Sequence, residues 1–263
     1  MAYTFITGAT GGIGKAFCFL LANSNEDLFL TGRSKDKLDA LKKDLLAVND
    51  KIDIITYPCD LTDELNRRDT FLYIDSLNIK FKRLINVAGV DIQKGFLAYT
   101  DEKLVFQTRV NTESVFSVTL GFLRRIDNGI LPEIITISSM SGATPMPYFA
   151  IYSATKACLI NFFKALRVEL KGKAKITTVL PGGVYTRPDI LKDIKGQGLW
   201  GKLSAKTPEF VAKKSLKAVK RNKKILIPGF WNKFLYFILK ITPECIKLNF
   251  IKNRWKKQEK DAF

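Results

Sequence analysis

"YTFITGATGGIGKAFCFLLAN", residues 3–23, decides the fold. Its first five residues are mostly β-branched or aromatic, as a buried strand requires. The stretch "TGATGGIG", residues 7–14, then packs four glycines into eight positions, which suits neither a strand nor a helix. Beyond it Ala16, Phe17, Leu20 and Leu21 recur at helical spacing. Strand, glycine turn and helix in that order open a dinucleotide-binding βαβ unit. Thr7, Gly8, Thr10, Gly12, Ile13 and Gly14 would let the backbone approach a pyrophosphate, while the helix N-terminus offers N–H groups and a positive dipole end.

Composition narrows the remaining choices. A chain of 263 residues with 46% apolar content can bury one sizeable core, so a single domain is expected, with residues 1–229 as its body and 230–263 as a helical tail of the same unit. Histidine is absent, which removes Ser-His-Asp triads, Cys-His pairs and most zinc chemistry, and no metal site is expected. Cys18, Cys59, Cys158 and Cys245 are scattered, three of them in apolar or strand-like contexts, and read as reduced thiols of a cytoplasmic protein. No basic region precedes an apolar stretch at the start, and no run of eighteen uncharged apolar residues occurs, so neither a signal peptide nor a spanning helix is indicated. The net charge of +18 raises the question of nucleic acid, but the lysines are spread along the chain without an Arg/Lys stripe among aromatics. They read as solvated helix faces with no nucleic-acid partner, although part of the excess gathers after residue 202.

Apolar, strand-like runs recur at 3–7, 28–31, 52–57, 83–87, 133–138, 175–180 and 224–227. Amphipathic stretches of helical length, at 35–47, 63–77, 101–126 and 148–170, lie between most of them. Alternation of this kind predicts an α/β fold, a doubly wound parallel sheet of about seven strands with helices on both faces. Right-handed crossovers then align the strand ends along one ligand-binding edge. After the second strand, Arg33 and Ser34 stand where a carboxylate for a ribose 2′-OH would favour NAD. Donors there favour the 2′-phosphate of NADP(H), and Lys15 adds positive charge nearby.

The fifth strand is followed by "ISSMSG", residues 137–142, and then by "YSATK", residues 152–156. With these pieces the chain resembles a short-chain dehydrogenase/reductase of single-domain type, from residue 3 to about residue 190. The family's pieces stand in order: the glycine turn, Asp60 with Leu61 after the third strand, "NVAG" with Asn86, Ala88 and Gly89, then Asn111, Ser139, Tyr152, Lys156 and "PGGVYT", residues 181–186. Tyr-x-x-x-Lys alone is weak, since it occurs at Tyr99/Lys103, Tyr152/Lys156 and Tyr236/Lys240. The family's catalytic Ser lies thirteen residues before the Tyr, and that step reaches Asn86, Ser139 and Lys223 respectively. Only Tyr152 satisfies both conditions, and Tyr148 reads as a lining or packing residue.

Positions i and i+4 share a helix face, so Lys156 can stand beside Tyr152 while reaching a cofactor ribose. A phenol titrates near 10, and an ammonium about 5 Å away is worth roughly 3 kcal/mol at an effective dielectric of 20, about two pKa units. Lys156 is therefore expected to pull Tyr152 towards neutrality. The resemblance implies that Tyr152 is the general acid/base, that Ser139 holds the carbonyl oxygen and that Asn111 fixes a water linking Lys156 to solvent. It further implies that Asp60 and Leu61 meet the adenine, Asn86 steadies the central sheet, and Pro181, Gly182, Val184 and Thr186 line the nicotinamide. Asp before Thr at residues 60–62 is also an ordinary helix-cap signal.

The substrate end is read from composition. "DIKGQGLWGKL", residues 193–203, suits a mobile lid or a plain surface loop. Residues 230–238 place Phe230, Trp231, Phe234, Leu235, Phe237 and Ile238 in one short helix ending near Pro243. Residues 230–257 could form a pocket wall, an oligomer contact or an interfacial helix on anionic lipid, and the pocket wall is the reading preferred. Such tails resemble those of steroid, retinol or long-chain acyl reductases, which implies a hydrophobic carbonyl or alcohol substrate. A homodimer is expected on 102–125 and 149–170, the latter carrying Leu159, Phe162, Phe163 and Leu166. Two rivals stand beside the NADP(H) oxidoreductase: a non-catalytic NADP-binding regulator, and a basic protein of lipid surfaces.

Overall fold

The computed structural model describes residues 2–186 and 203–256. Seven strands, β1 (Ala2–Thr7), β2 (Leu28–Gly32), β3 (Ile54–Pro58), β4 (Lys80–Asn86), β5 (Glu133–Ile137), β6 (Lys175–Val179) and β7 (Ile225–Leu226), form one sheet in the order β3-β2-β1-β4-β5-β6-β7. Every neighbouring pair is parallel. Helices α1 (Gly12–Ala22), α2 (Lys35–Val48), α3 (Glu64–Ser76), α4 (Asp101–Thr108), α5 (Ser114–Leu123), α6 (Ala150–Glu169) and α7 (Pro208–Lys220) cover both faces, and α8 (Phe230–Ile241) and α9 (Glu244–Trp255) follow.

Alternate strand residues feed two cores. Ile6 of β1 packs with Phe17, Leu21, Leu38 and Val211 under α1, α2 and α7. Its neighbour Phe5 turns the other way, into Phe29, Phe81, Phe122, Leu159 and Phe163. The rings of Phe5 and Phe29 meet edge to face at 5.1 Å. Burial on both faces is why these strands read as continuous apolar runs. Helix starts follow local chemistry: Ser34 accepts from Lys37 N, Asp63 from Leu65 N and Asn66 N, and Thr207 from Phe210 N with Pro208 in the first turn. The cap of α3 is thus Asp63; Asp60 instead closes its own turn, its Oδ1 accepting from Thr62 N at 2.9 Å and Thr62 Oγ1 at 2.8 Å.

One expected helix is divided. The stretch 101–126 is α4 and α5 joined by a π-helical turn, Arg109–Glu113, that holds Asn111. The short aromatic helix expected to end near Pro243 is α8, which stops at Ile241, and α9 follows beyond Thr242 and Pro243, where the residue before proline is driven to extended backbone. Strand order reverses between β1 and β4, and that switch point opens the crevice in which a doubly wound sheet takes its ligand.

Candidate active site

Glycines set the crevice floor. Gly8 holds φ at +63°, and a Cβ there would stand 2.8 Å from the backbone of Ala88, so β1 and β4 approach through bare backbone. At Gly14 a Cβ would lie 2.2 Å from Gly8 O, which closes the turn onto α1. A Cβ at Gly12 would meet Thr186 at 2.9 Å, bringing the 181–186 segment over the same turn. Thr7 Oγ1 accepts from Val87 N and Ala88 N, tying "NVAG" to the first strand. No side chain caps the first turn of α1, whose N–H groups are the ready anion site of such folds. Thr31 Oγ1 and Asn86 Oδ1, at the ends of β2 and β4, are buried without a partner, while Asn86 Nδ2 donates to Thr119 and Thr136. An open helix terminus, a glycine cradle and unsatisfied polar atoms beside it fit a dinucleotide. Exposed Arg33 sits 5.7 Å over the Phe106 ring, and half-buried Ser34 accepts the cap bond of α2, which leaves its proton for another partner. Lys15 is exposed on the first turn of α1.

Ser139, Tyr152 and Lys156 come together at the ends of β5 and α6. The 139–143 turn packs so tightly on α6 that a Cβ at Gly142 would stand 2.6 Å from Lys156 C, and Ser138 Oγ donates to Lys156 O at 2.8 Å. Met140 N donates to Pro181 O, coupling this turn to the 181–186 segment. Lys156 Nζ is buried, donates to Ile137 O at 3.2 Å and lies 5.7 Å from the centre of the Tyr152 ring. Asn111 is wholly buried; its Oδ1 accepts from Val90 N, and its Nδ2 donates to Val90 O and Thr155 Oγ1. The side chain is spent on fixing the 89–91 segment, and a Cβ at Gly89 would stand 3.1 Å from it and 3.2 Å from Lys156 Nζ.

Electrostatics depart from expectation. Burial raises the Tyr152 phenol well above its ordinary value, the Asp91 carboxylate raises it further, and a hydrogen bond with Ser139 opposes them. The net shift is thus upward, opposite to the pull expected of Lys156, whose ammonium donates to Ile137 O. Burial pushes Lys156 itself down to about 8, against the attraction of Asp91. Asp91, half-buried beside the segment that Asn111 fixes, therefore acts on both groups. It was missed at the sequence level because the position has no motif; only its place two residues past "NVAG" could have marked it.

The surroundings of Tyr152 are aromatic. Phe149 stacks on Tyr152 at 4.3 Å and on Trp255 at 5.9 Å, with Met146 and Ile251 in the same small cluster. A cavity of about 220 Å³ adjoins it, lined by Lys94, Phe96, Tyr99, Tyr148, Ile151 and Lys252 among others. Tyr148 is a lining residue, and it holds φ at +62°. The wall is thus built by α9, whereas Phe230, Phe234 and Phe237 of α8 are exposed. Of the tail 230–257 read as a pocket wall, the α9 end packs against Phe149 beside Tyr152 through Ile251 and Trp255, while the Phe230, Phe234 and Phe237 side of α8 faces solvent. Helix α8 instead hangs from Asn232, which donates to Ser204 O and Pro228 O and abuts Gly182. Residues 193–202 of the expected lid lie outside the described residues. Leu159 and Phe163 are covered by the sheet, so the apolar surplus of α6 is smaller than expected; Phe162 is partly buried, its ring 4.3 Å from Phe116. Cys18 and Cys59 are buried, Cys158 and Cys245 exposed, and all four are free. No group of three or more potential metal-binding side chains occurs among the described residues.

The short chain dehydrogenase family profile matches residues 2–194. An "11-beta-hydroxysteroid dehydrogenase-like 2" from Arabidopsis thaliana is 28% identical over 251 residues, covering 92% of this chain and 78% of the relative. A "very-long-chain 3-oxoacyl-CoA reductase" from Bos taurus is 33% identical over 225 residues, covering 82% and 68%. A solved structure described as giving insights into 7beta-hydroxysteroid dehydrogenase stereoselectivity superposes with a TM-score of 0.84 at 22% identity, over 95% of this chain and 96% of that one. The chain belongs to the short-chain dehydrogenase family, oxidoreductases that act on alcohol and carbonyl groups with nicotinamide cofactors.

Proposed function

We propose that the chain transfers hydride between NADP(H) and a carbonyl or secondary alcohol of a hydrophobic small molecule, with Tyr152 as general acid and base. The observation that carries this reading is the meeting of Ser139, Tyr152 and Lys156 at the switch point, beside the glycine cradle. Bound in the crevice, the nicotinamide supplies or accepts the hydride. Burial holds Tyr152 as the neutral phenol, the form from which its hydroxyl donates to the substrate oxygen in reduction. In oxidation the same oxygen takes a proton back. Ser139 hydrogen-bonds the substrate oxygen and stabilises developing charge. Lys156, with a pKa near 8, is cationic around neutral pH, holds the cofactor ribose and returns the proton to Tyr152. Since the Asn111 side chain is committed, the water-fixing role falls to its main-chain carbonyl in the π-helical turn.

Arg33 and Ser34 bind the 2′-phosphate, Asp60 and Leu61 meet the adenine, and Thr186 holds the carboxamide. Phe149, Trp255 and Met146 support an apolar substrate, in keeping with relatives whose names carry a steroid and a long-chain acyl group. The Phe116/Phe162 pair, with exposed Leu120 and Val168, supports a homodimer on α5 and α6. Free thiols fit a reducing compartment such as the cytoplasm. The test is oxidation of NADPH and NADH against a panel of ketones and aldehydes of increasing apolar size. NADPH-dependent turnover that improves with substrate size is expected. Tight NADPH binding with no turnover across the panel would instead indicate a non-catalytic regulator.

A further inference from the structure

Helix α8 carries a face that the fold does not use. Its one buried side chain is Asn232. At 100° per residue, Phe230, Phe234, Phe237 and Ile241 fall on a single stripe directly opposite Asn232. All four are exposed, Phe230 by 75%, Phe237 by 58% and Ile241 by 61% of their surface. Trp231 lies on one flank of the stripe, and Lys233 and Lys240 lie on the other. On α9, Ile246 and Phe250 are exposed as well.

Charge identifies what covers this face. Residues 230–256, which form α8, α9 and the turn between them, hold six Lys and Arg against one Glu. A second copy seated on the same face would bring two such surfaces together, and like charges oppose that pairing. A surface that is apolar in its outer layer and anionic above it satisfies both the stripe and the lysines. Twelve residues span about 18 Å at 1.5 Å per residue, short of a bilayer core of about 30 Å, so such a helix lies in the interface and does not cross it. Among the described residues no helix is long and apolar enough to cross a membrane.

We infer that α8 seats this protein on anionic lipid, with the Phe230–Phe234–Phe237–Ile241 stripe entering the headgroup layer and the basic C-terminal surface facing lipid phosphates and carboxylates. Helix α9 joins the seat to the aromatic wall beside Tyr152, so the substrate mouth stands next to the lipid. Lipid binding is read without turnover, so failure of this inference leaves the hydride-transfer reading untouched, and the converse holds.

The full chain is sedimented with vesicles of phosphatidylcholine containing 30% phosphatidylserine and with phosphatidylcholine alone. Binding at least tenfold tighter to the anionic vesicles, weakening as NaCl rises, is expected. The double variant Phe234→Glu/Phe237→Glu should lose at least tenfold in affinity while keeping the thermal midpoint and NADPH affinity of the parent. Phe234→Ser/Phe237→Ser serves as the milder second variant, and Leu72→Glu on α3 should bind as the parent does. Equal binding to both vesicles, no binding, or anionic binding untouched by either double variant would overturn the inference. So would a dimer that the double variants convert to monomer, which would assign the stripe to a second copy.

Discussion

The glycine turn and the C-terminal helices are fixed to the fold by opposite means. Around Gly8, Gly12 and Gly14, backbone meets backbone or a neighbouring segment so closely that a single Cβ would collide with what it faces. Around α8 and α9, attachment rests on side chains: Asn232 with half-buried Leu235 and Leu239 under α8, Ile251 and Trp255 under α9. A cofactor that is the same in every turnover suits rigid backbone, which tolerates no substitution. A substrate wall made of replaceable side chains can change without touching the cofactor cradle.

The contrast would break if a change in the turn proved mild. Gly14→Ala should cost about 3 kcal/mol of stability, because its Cβ would stand 2.2 Å from Gly8 O. Gly172→Ala should cost only about 1 kcal/mol, since nothing lies within 4 Å and only its φ of +78° resists. Denaturant unfolding of the two variants measures the difference. Arg33→Ala tests the cradle without straining it: the preference for NADPH over NADH should fall about tenfold, as loss of a charge-assisted contact worth roughly 1.5 kcal/mol implies. Calorimetric titration of both cofactors checks this, and equal affinities in the unmodified chain would remove the basis for Arg33.

At the other end, Trp255→Ala removes one side of the stack on Phe149. The KM of bulky substrates should rise about tenfold, or roughly 1.4 kcal/mol, while NADPH affinity stays unchanged. A parallel loss of cofactor affinity would show that the two ends are not separable. The smallest effect is expected at Asp91. Its carboxylate raises both Tyr152 and Lys156 by favouring the neutral phenol and the ammonium. Asp91→Asn removes that field, both pKa values fall, and the limbs of the pH–rate profile should move to lower pH by about half a unit. A shift to higher pH would reverse the sign assigned to Asp91.

Much of the cradle was legible in the sequence because glycines at fixed offsets and strands buried on both faces leave local signatures. The break at Asn111 was not. "RVNTE" contains no glycine or proline, and the π-helical turn exists because Asn111 must reach Val90 and Thr155, residues far away along the chain. The stack of Phe149 between Tyr152 and Trp255 joins segments about a hundred residues apart, and apolar periodicity says nothing of such pairing. On α8 the periodicity was visible, but the side facing the protein was not: Asn232 with half-buried Leu235 and Leu239, rather than the aromatic stripe, anchors the helix. The orientation of Lys156 towards Ile137 O likewise escaped a rule built on i, i+4 spacing alone.

The central claim is that Tyr152 moves the proton while the glycine cradle holds the cofactor. It is tested most directly by measuring NADPH affinity and NADPH-dependent carbonyl reduction on the same preparations of the unmodified chain and Tyr152→Phe. The account predicts that the variant binds NADPH as tightly as its parent and turns over at least about a hundredfold more slowly, the usual cost of losing a positioned general acid. A variant that reduces the carbonyl at the parent's rate would contradict it.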